Sequence, residues 1–332
     1  MASKLLTYKQ LELANALEKA RDQRAFIVVD AKVKNMLPQW LQFAPDVFWL
    51  NQPEEQKNLD VYAEATSFFL KQGILRGHTI LGIGGGATTD FAGFLAATLH
   101  RGVRWIAVPT TLMGMVDAAI GGKTALNTAA GKNLLGAFHE PDEVWLCSDF
   151  LKTLTSHDLL SGKGEILKYG LLDQSIYDMI MAPKIVMEDL ILQCARYKLE
   201  VVARDLHDKG ERAYLNLGHT LGHAFEHVLR IPHGVAVTMG IKYLFKAFDQ
   251  KDGLTAFDDM FKKLDLDDEK TDIANYKRLD RPAFWAALSH DKKRTTEGVN
   301  LVLLDKVGAP RLQMTPITQL KSRLEALSDF KG

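Results

Sequence analysis

The sequence predicts an α/β domain with a mainly parallel sheet, followed by a mainly helical domain, with the boundary near Ser148. Two observations support this fold class. Short β-branched runs alternate with segments of helical periodicity before residue 150, and strand-like runs become rare after it. The chain has 332 residues, enough for two domains of ordinary size. We therefore expect a nucleotide-binding domain at 1–148 and a metal- and substrate-binding domain at 149–332.

The predicted elements of the first domain alternate between strand and helix. Strands are expected at 25–29, 47–50, 79–83 and 104–108, and helices at 11–20, 57–71 and 86–100. Because parallel strands need long crossover connections, this order indicates a parallel sheet covered by helices. In the second domain, helices are expected at 159–169, 187–206, 216–229, 235–248, 255–264 and 317–327, with one hairpin from 299–304 and 309–314.

Composition argues against several classes of function. The 41 acidic and 41 basic residues give a net charge of zero, so we expect neither a nucleic-acid nor a membrane partner. Two cysteines, Cys147 and Cys194, cannot build a disulfide framework and are expected to be reduced thiols. The first 22 residues lack a signal-peptide core, and no run of about 18 apolar residues occurs. These observations predict a soluble, cytoplasmic protein.

A glycine-rich loop at Gly84-Gly-Gly-Ala-Thr-Thr-Asp90 separates a predicted strand from a helix. Glycines allow a pyrophosphate to approach the backbone, and the helix start offers unpaired N–H groups. A plain tight turn would have the same sequence. Asp30 closes an early strand where a carboxylate can bind a ribose, and Thr110 and Thr111 follow another strand. Together these residues favour a Rossmann-like dinucleotide site.

The clearest chemical signal is a group of histidines. His219 and His223 are four residues apart, so they share one face of a helix, and His227 and His233 follow closely. Two imidazoles and one carboxylate are a usual ligand set for catalytic Zn²⁺, and Glu165 is the candidate carboxylate. The spacing does not decide which histidines bind a metal. A surface or capping role for them is the alternative.

Several cations lie beside glycine or asparagine or near helix ends, unlike an ordinary solvated face. They are Arg101, Lys123, Lys132, Lys168, Lys198 and Arg212. A substrate with both phosphate and carboxylate groups would need such a set. Taken singly, each of these residues also fits an exposed surface.

Long blocks of the sequence resemble the 3-dehydroquinate synthases, in the same order from about Asp30 to Gly308. They include the glycine loop through Arg101, Pro109-Thr-Thr-Leu112, Val116-Asp117, Gly121-Gly-Lys123, Gly131-Lys-Asn133, Ser161-Gly162 with Glu165 and Lys168-Tyr-Gly170, Arg212 with Asn216, Gly218-His219, Gly222-His223 and His233-Gly234. The sequence departs from the family pattern at Thr89, where glycine is common, and at Val235, where glutamate is usual.

The resemblance implies a role for each matching residue. The metal, Zn²⁺ or Co²⁺, would be bound by Glu165, His219 and His233, which leaves His223 on the substrate side. Substrate contacts would come from Asp117, Lys123, Asn133, Lys168, Lys198, Arg212 and Asn216, from Lys292 or Lys293, and from Arg101 of the neighbouring subunit of a homodimer. NAD contacts would come from Asp30, Glu54, Lys57, Gly85, Gly86, Asp90, Thr110, Thr111, Lys132 and Thr153.

The resemblance also implies the reaction. The family converts 3-deoxy-D-arabino-heptulosonate 7-phosphate, a phosphorylated sugar acid, into 3-dehydroquinate and phosphate, the second step of the shikimate pathway. NAD oxidises the substrate transiently, phosphate leaves by β-elimination, the hydride returns, and an aldol addition closes the carbocycle. Two rival enzymes are another sugar-phosphate cyclase, acting on sedoheptulose 7-phosphate or glucose 6-phosphate, and a metal-dependent polyol dehydrogenase. A third alternative is an inactive nucleotide-binding scaffold.

Overall fold

The computed structural model describes residues 3–206, 210–266, 279–289 and 298–331. The chain divides into two compact units. The first comprises Met1–Thr155 with Lys198–Ala203, and the second comprises Ser156–Tyr197 with Arg204–Gly332. The assignment of NAD binding to 1–148 and of metal and substrate binding to 149–332 stays a prediction.

The first unit is built on one parallel sheet of six strands. Its strands are β1 (Lys4–Thr7), β2 (Phe26–Asp30), β3 (Val47–Leu50), β4 (Thr79–Gly84), β5 (Arg104–Pro109) and β8 (Glu143–Leu146), in the order β1-β8-β5-β4-β2-β3, and β6 (Lys123–Thr128) and β7 (Gly131–Phe138) form a separate antiparallel pair. The chain runs from β2 outward to β3, but from β4 to β5 on the other side. The strand order therefore reverses between β2 and β4, and open α/β sheets bind nucleotides at the carboxyl ends of strands at such a point.

The helices of this unit connect the strands. They are α1 (Gln10–Asp22), α2 (Pro53–Gln56), α3 (Leu59–Lys71) and α4 (Gly86–Thr98), with short helical turns at Ala31–Met36, Gln39–Gln42, Leu99–Arg101, Gly114–Ala118 and Ser148–Thr153. All five residues of β2 are buried. Four of them, Phe26 to Val29, are apolar, and such a run is typical of a parallel sheet with both faces covered.

The second unit is mainly helical. Its helices are α5 (Ser156–Leu172), α6 (Gln174–Met181), most of α7 (Met187–Arg204), α8 (His219–Leu229), α9 (His233–Ala247), α10 (Lys251–Lys263), α11 (Arg281–Ser289), α12 (Ile317–Ala326) and α13 (Ser328–Lys331); a turn of 3₁₀ helix covers Glu211–Asn216. One antiparallel hairpin, β9 (Val299–Lys306) and β10 (Ala309–Thr315), completes it. No helix among the described residues combines the length and apolar character needed to cross a membrane.

Two glycines let α5 and α9 cross at very short range. A Cβ atom at Gly164 would lie 2.2 Å from the carbonyl oxygen of Gly234, and one at Gly234 would lie 1.8 Å from the carbonyl oxygen of Ser161. Real Cβ atoms do not approach a backbone oxygen that closely, so any larger residue must push the helices apart. This crossing holds the middle of α5 against the first turn of α9.

The predicted fold class is confirmed, and the hairpin near residue 300 is present. Several helix starts differ from expectation by one to four residues, and two of these differences have a clear local cause. The helix expected from residue 57 begins at Leu59, because the Asn58 side chain accepts hydrogen bonds from the N–H groups of Asp60 and Val61. The helix expected from residue 216 begins at His219, since Gly218 before it has a left-handed backbone with φ of 77°.

Candidate metal centre and nucleotide loop

Three side chains of the second unit meet at one point. One ligand atom each from Glu165, His219 and His233 lies within 4.8 Å of the other two. The Oε1 atom of Glu165 is 3.7 Å from Nε2 of His219 and 3.4 Å from Nε2 of His233. Ligands held at about 2.1 Å around a tetrahedral ion lie about 3.4 Å apart, so the geometry fits Zn²⁺ or a similar divalent cation.

The fold delivers these groups from three helices. Glu165 lies in the middle of α5 and is fully buried, whereas His219 and His233 are the first residues of α8 and α9. Gly218 sets the start of α8, because a Cβ atom there would lie 2.4 Å from the side chain of Ile241. The close crossing of α5 and α9 brings Glu165 to His233. The cluster therefore depends on glycines at helix contacts as much as on the ligands.

Hydrogen bonds orient both imidazoles. The Nδ1 atom of His219 is 3.2 Å from the carbonyl oxygen of Leu217, which can only accept, so Nδ1 carries the proton and the Nε2 lone pair faces Glu165. The Nδ1 atom of His233 lies 2.7 Å from Oε2 of Glu226. Both rings therefore present Nε2 to the cluster, as a metal site requires.

The cluster favours a positive charge. Burial by itself lowers the pKa of His233, but hydrogen bonds and charges from Glu165 and Glu226 outweigh burial and raise the pKa to about 10. Lys168, which is 1% exposed, forms an ion pair with Oε2 of Glu165. Lys168 lies at Oε2, so Oε1 is the oxygen that faces both imidazoles and that a divalent ion would bind.

Other predicted substrate residues of the second unit lie on separate elements. His223 is one turn beyond His219, with ring centroids 5.4 Å apart, but it is not part of the three-ligand group. Arg212 is 3% exposed, and its Nη1 donates to the carbonyl oxygen of Leu206. Arg212 lies in the 3₁₀ turn Glu211–Asn216, and Asn216 is the last residue of that turn. Lys292 and Lys293 lie outside the described residues.

The glycine loop of the first unit follows β4, beside the carboxyl ends of β2 and β5. Asp30 ends β2, and the N–H of Thr110 donates to the carbonyl oxygen of Gly84 at 2.9 Å. A Cβ atom at Gly84 would lie 2.5 Å from Oγ1 of Thr88, and one at Gly86 would lie 3.0 Å from Ala118. Backbone without side chains thus lies at the start of α4, where the strand order reverses. A pyrophosphate could approach the backbone N–H groups there.

A second buried polar cluster lies in this unit. The Nζ atom of Lys57, 2% exposed, is 2.8 Å from Oδ2 of Asp90 and 2.7 Å from Oδ1 of Asn133. Burial raises the pKa of Asp90, which Lys57 lowers in part, and the result is about 6. Lys198 and Asp117, also in this unit, form an ion pair at 2.9 Å. Residues that were predicted to contact NAD or the substrate thus contact one another here: Lys57 with Asp90 and Asn133, and Lys198 with Asp117.

Several residues of the first unit that were predicted to contact NAD or the substrate are exposed. Lys132 is exposed and lies 3.5 Å from Glu54. Lys123 and Arg101 are exposed as well. The hydroxyl of Thr153 donates to the carbonyl oxygen of Phe150, and no hydrogen bond among the described residues joins it to the glycine loop. Thr111 lies beside that loop, 3.1 Å from a Cβ atom placed at Gly85.

Sequence reasoning gave no role to two residues of these sites. Asn127 donates to Glu54 through its amide and accepts from the N–H of Asn133, so it ties the β6–β7 hairpin to α2. Nothing in the spacing of Asn127 indicated that link. Glu226 bonds to His233. Its spacing of seven residues from His219, two helical turns, was a usable signal.

The comparisons with known proteins agree with this architecture. The family model described as 3-dehydroquinate synthase N-terminal matches residues 47–161, and the C-terminal model matches residues 162–294. A 3-dehydroquinate synthase from Staphylococcus carnosus is 38% identical over 325 residues, covering 91% of this chain and 88% of the relative.

Solved structures show the same fold. A 2-epi-5-epi-valiolone synthase from Streptomyces hygroscopicus, solved with NAD⁺ and Zn²⁺ bound, has a TM-score of 0.80 at 24% identity and covers 99% of this chain and 97% of its own. A probable glycerol dehydrogenase from Sinorhizobium meliloti has a TM-score of 0.61 at 15% identity, covering 99% and 97%. The fold class is thus that of the dehydroquinate synthase-like cyclases. The chain itself belongs to the 3-dehydroquinate synthase family.

Proposed function

We propose that this protein converts 3-deoxy-D-arabino-heptulosonate 7-phosphate into 3-dehydroquinate and phosphate, with NAD and a divalent metal as cofactors. One observation carries the proposal most strongly. In a chain of the 3-dehydroquinate synthase family, Glu165, His219 and His233 converge within 4.8 Å. These residues are far apart in the sequence and come from three helices.

The residues divide the work. When bound, NAD⁺ would take up a hydride and later return it, while the metal would polarise the hydroxyl at the reacting carbon. Glu165, His219 and His233 would hold the metal. Asp30, Glu54, Lys57, Gly85, Gly86, Asp90, Thr110, Thr111, Lys132 and Thr153 would hold the nucleotide, the glycines through their backbone.

The remaining polar residues would bind the substrate. This set would comprise Asp117, Lys123, Asn133, Lys168, Lys198, Arg212, Asn216 and His223, with Lys292 or Lys293, and with Arg101 from the neighbouring subunit of the homodimer. Lysine and arginine side chains would hold the phosphate and carboxylate, and the charge they supply makes phosphate a better leaving group. His223 is close enough to the proposed ligands, with its ring centroid 5.8 Å from that of His233, to exchange a proton with substrate there.

The direct test is phosphate release from the heptulosonate phosphate. We expect release only when NAD and metal are both present, loss of release after chelation, and recovery when Zn²⁺ or Co²⁺ is restored. NADH should not accumulate, because the hydride returns within each turnover. Full activity after exhaustive chelation, or NADH production that matches substrate consumption, would reject the proposal.

Arg212 distinguishes the carboxylated substrate from those of other sugar-phosphate cyclases. An arginine is suited to bind a carboxylate through two hydrogen bonds, and Arg212 is buried. Replacing Arg212→Met should reduce kcat/KM for the heptulosonate phosphate by about 10- to 150-fold, the equivalent of about 1.5–3 kcal/mol. Because Arg212 also donates to Leu206, thermal unfolding of the variant should be measured as a control. An unchanged kcat/KM would favour sedoheptulose 7-phosphate or glucose 6-phosphate.

A polyol dehydrogenase is the second candidate, because the probable glycerol dehydrogenase shares the fold. Such an enzyme would accumulate NADH with glycerol as substrate. A polyol carries neither phosphate nor carboxylate, so such an enzyme has little use for buried cations such as Lys168, Lys198 and Arg212, each 7% exposed or less. We expect no NADH formation from glycerol, measured by absorbance with saturating NAD⁺.

We also propose that the protein acts as a cytoplasmic homodimer in aromatic amino acid biosynthesis, through the shikimate pathway. The β7 strand supports a protein interface. Leu134, Leu135 and Phe138 on this strand are 45%, 37% and 51% exposed, and the sheet of β6 and β7 has no third strand among the described residues. Sedimentation should give twice the chain mass of 37.1 kDa. Both cysteines are buried thiols, in keeping with a reducing compartment.

A further inference from the structure

We propose that Glu226 is a positioning residue of the metal centre, which fixes the ring of His233 and strengthens it as a ligand. The proposal rests on the proposed metal site. It adds a residue that would touch neither the metal nor the substrate and would act only through His233.

The geometry is direct. The Oε2 atom of Glu226 lies 2.7 Å from Nδ1 of His233, and the opposite nitrogen, Nε2, lies 3.4 Å from Oε1 of Glu165. A carboxylate can only accept a hydrogen bond, so Nδ1 must carry a proton. Because Nδ1 keeps its proton, which it donates to Glu226, the proton that a metal ion displaces is the one on Nε2, whose lone pair then binds the metal. The carboxylate therefore selects both the orientation and the tautomer of the ring.

The two proposed histidine ligands differ in what holds them. His219 is 11% exposed, and its Nδ1 is bonded to a backbone carbonyl, that of Leu217. His233 is 31% exposed, and its Nδ1 is bonded to a side chain, that of Glu226. The ring of His233 is less enclosed and has more freedom to turn. A specific side-chain anchor matters more at this ligand than at the other.

Helix geometry explains how Glu226 reaches His233. It lies seven residues after His219 on α8, which is two turns later on the same face. His233 opens α9 directly after the short connection from α8. The connection therefore folds the first residue of α9 back beside the last turns of α8. A glutamate at this position can meet the ring while His219 and Glu165 meet it from the other side.

The negative charge of Glu226 adds to the effect of orientation. A carboxylate on the far nitrogen makes an imidazole a stronger electron donor to a cation. Removing such an outer partner generally weakens metal binding by about 10- to 100-fold. We expect a loss in that range for Glu226→Ala.

The experiment measures metal binding directly, so it does not depend on turnover. Purified full-length protein is stripped of metal, and Co²⁺ binding is followed by competition with a chelator and by the visible absorption of bound Co²⁺. Glu226→Ala should raise the Kd by about 10- to 100-fold and alter the Co²⁺ spectrum. Metal affinity should fall less in Glu226→Gln than in Glu226→Ala, because the amide oxygen still accepts a hydrogen bond from Nδ1. Some loss should remain, because the amide carries no negative charge.

Two controls separate positioning from a general defect. His227→Ala removes the adjacent exposed residue of α8, and we expect its Kd to match the wild type. Far-ultraviolet circular dichroism of the metal-free proteins should show the same helical content for wild type and Glu226→Ala, since the side chain is 35% exposed. At saturating Co²⁺, phosphate release by Glu226→Ala should recover most of its lost activity.

The outcomes distinguish this inference from the function on which it rests. Tight Co²⁺ binding by the wild type with an unchanged Kd in Glu226→Ala would overturn the role of Glu226 alone. A weaker Kd accompanied by an equal loss in His227→Ala, or by a loss of helical content in the metal-free variant, would also overturn it in favour of a structural effect. A wild-type protein that binds no Co²⁺ would reject the metal site and the proposed function together.

Discussion

Two buried polar clusters lie in different units of the chain, and their charges are balanced differently. In the first unit, Lys57 contacts Asp90 and Asn133, so one cation meets one carboxylate and an amide. In the second unit, Glu165, His219 and His233 turn three ligand atoms toward one point, with Glu226 behind them. The first cluster balances its own charge. The second also contains the ion pair of Glu165 with Lys168, but it can exchange the proton of His233 for a metal ion.

From this difference we infer that the first cluster positions proposed nucleotide and substrate residues, whereas the second can bind an ion directly. Charges that compensate one another position neighbouring backbone, as Lys57 does between α4 and the β6–β7 hairpin. Ligand atoms that converge from three helices can bind an ion once it displaces the proton between Glu165 and His233. We expect the two clusters to respond independently to mutation, and the following predictions test that.

The largest effect is expected from the metal cluster. His219→Ala removes a proposed ligand, and its metal Kd should rise by more than the roughly 100-fold found for outer partners. Phosphate release should fall to background, while NAD binding measured by calorimetry should stay within about twofold of wild type. Stoichiometric, tight metal in this variant would show that the ligand assignment is wrong.

Helix packing should matter next, because it positions two of the ligands. Gly234→Ala places a Cβ atom 1.8 Å from a backbone oxygen, so α5 and α9 must separate. We expect a loss on the order of 3 kcal/mol in the free energy of unfolding, measured with urea, and weaker metal binding. Gly77→Ala is the control, since a Cβ atom there has open space. Equal stability of the two variants would contradict this role of the crossing.

Lys57→Met should affect stability and NAD binding rather than metal binding, the reverse of what is expected for His219→Ala. It leaves Asp90 buried without its ion pair, so the free energy of unfolding should fall by about 1–3 kcal/mol. NAD binding should weaken, and the metal Kd should not change. Lys71→Met replaces an exposed lysine of α3 and should change neither quantity. A weakened metal Kd in Lys57→Met would show that the clusters are coupled.

The smallest effect is a shift in one titration. The pKa of Asp90 is about 6 in the folded protein, above its ordinary value of 3.8. The folded state therefore holds this proton more tightly, and the stability this contributes is lost as the pH rises from about 4 through about 6. The carboxyl ¹³C shift should titrate near pH 6, and Lys57→Met should raise the midpoint. A midpoint near 4 in both proteins would contradict the account.

Much of the fold was predictable because its signals are local. The buried strands at β2, β4 and β5 are short apolar runs, and periodicity located the main helices. The β6–β7 hairpin gave no such signal, because β7 is mostly exposed and carries two glycines. The edge strand β1, with four residues, is short enough to be missed as well. Tertiary contacts rather than local pattern determine these elements.

The candidate site was predictable to a different degree in each unit. Histidine spacing showed where a metal cluster could form, and the family resemblance selected His233 over His223. The hydrogen bond of Asn127 to Glu54 joins residues 73 apart, so no local pattern revealed it, whereas the helical spacing of Glu226 from His219 was a local signal. The pairing of Lys57 with Asp90 likewise depends on the fold bringing residues 33 apart together.

Anomalous diffraction tests the metal site most directly. Crystals of the metal-loaded protein would be measured at the absorption edge of Zn²⁺ or Co²⁺. We predict one strong peak, from a metal ion within bonding distance of a carboxylate oxygen of Glu165 and of Nε2 of both His219 and His233. A peak on other residues, or full loading with no peak between these three, would contradict it.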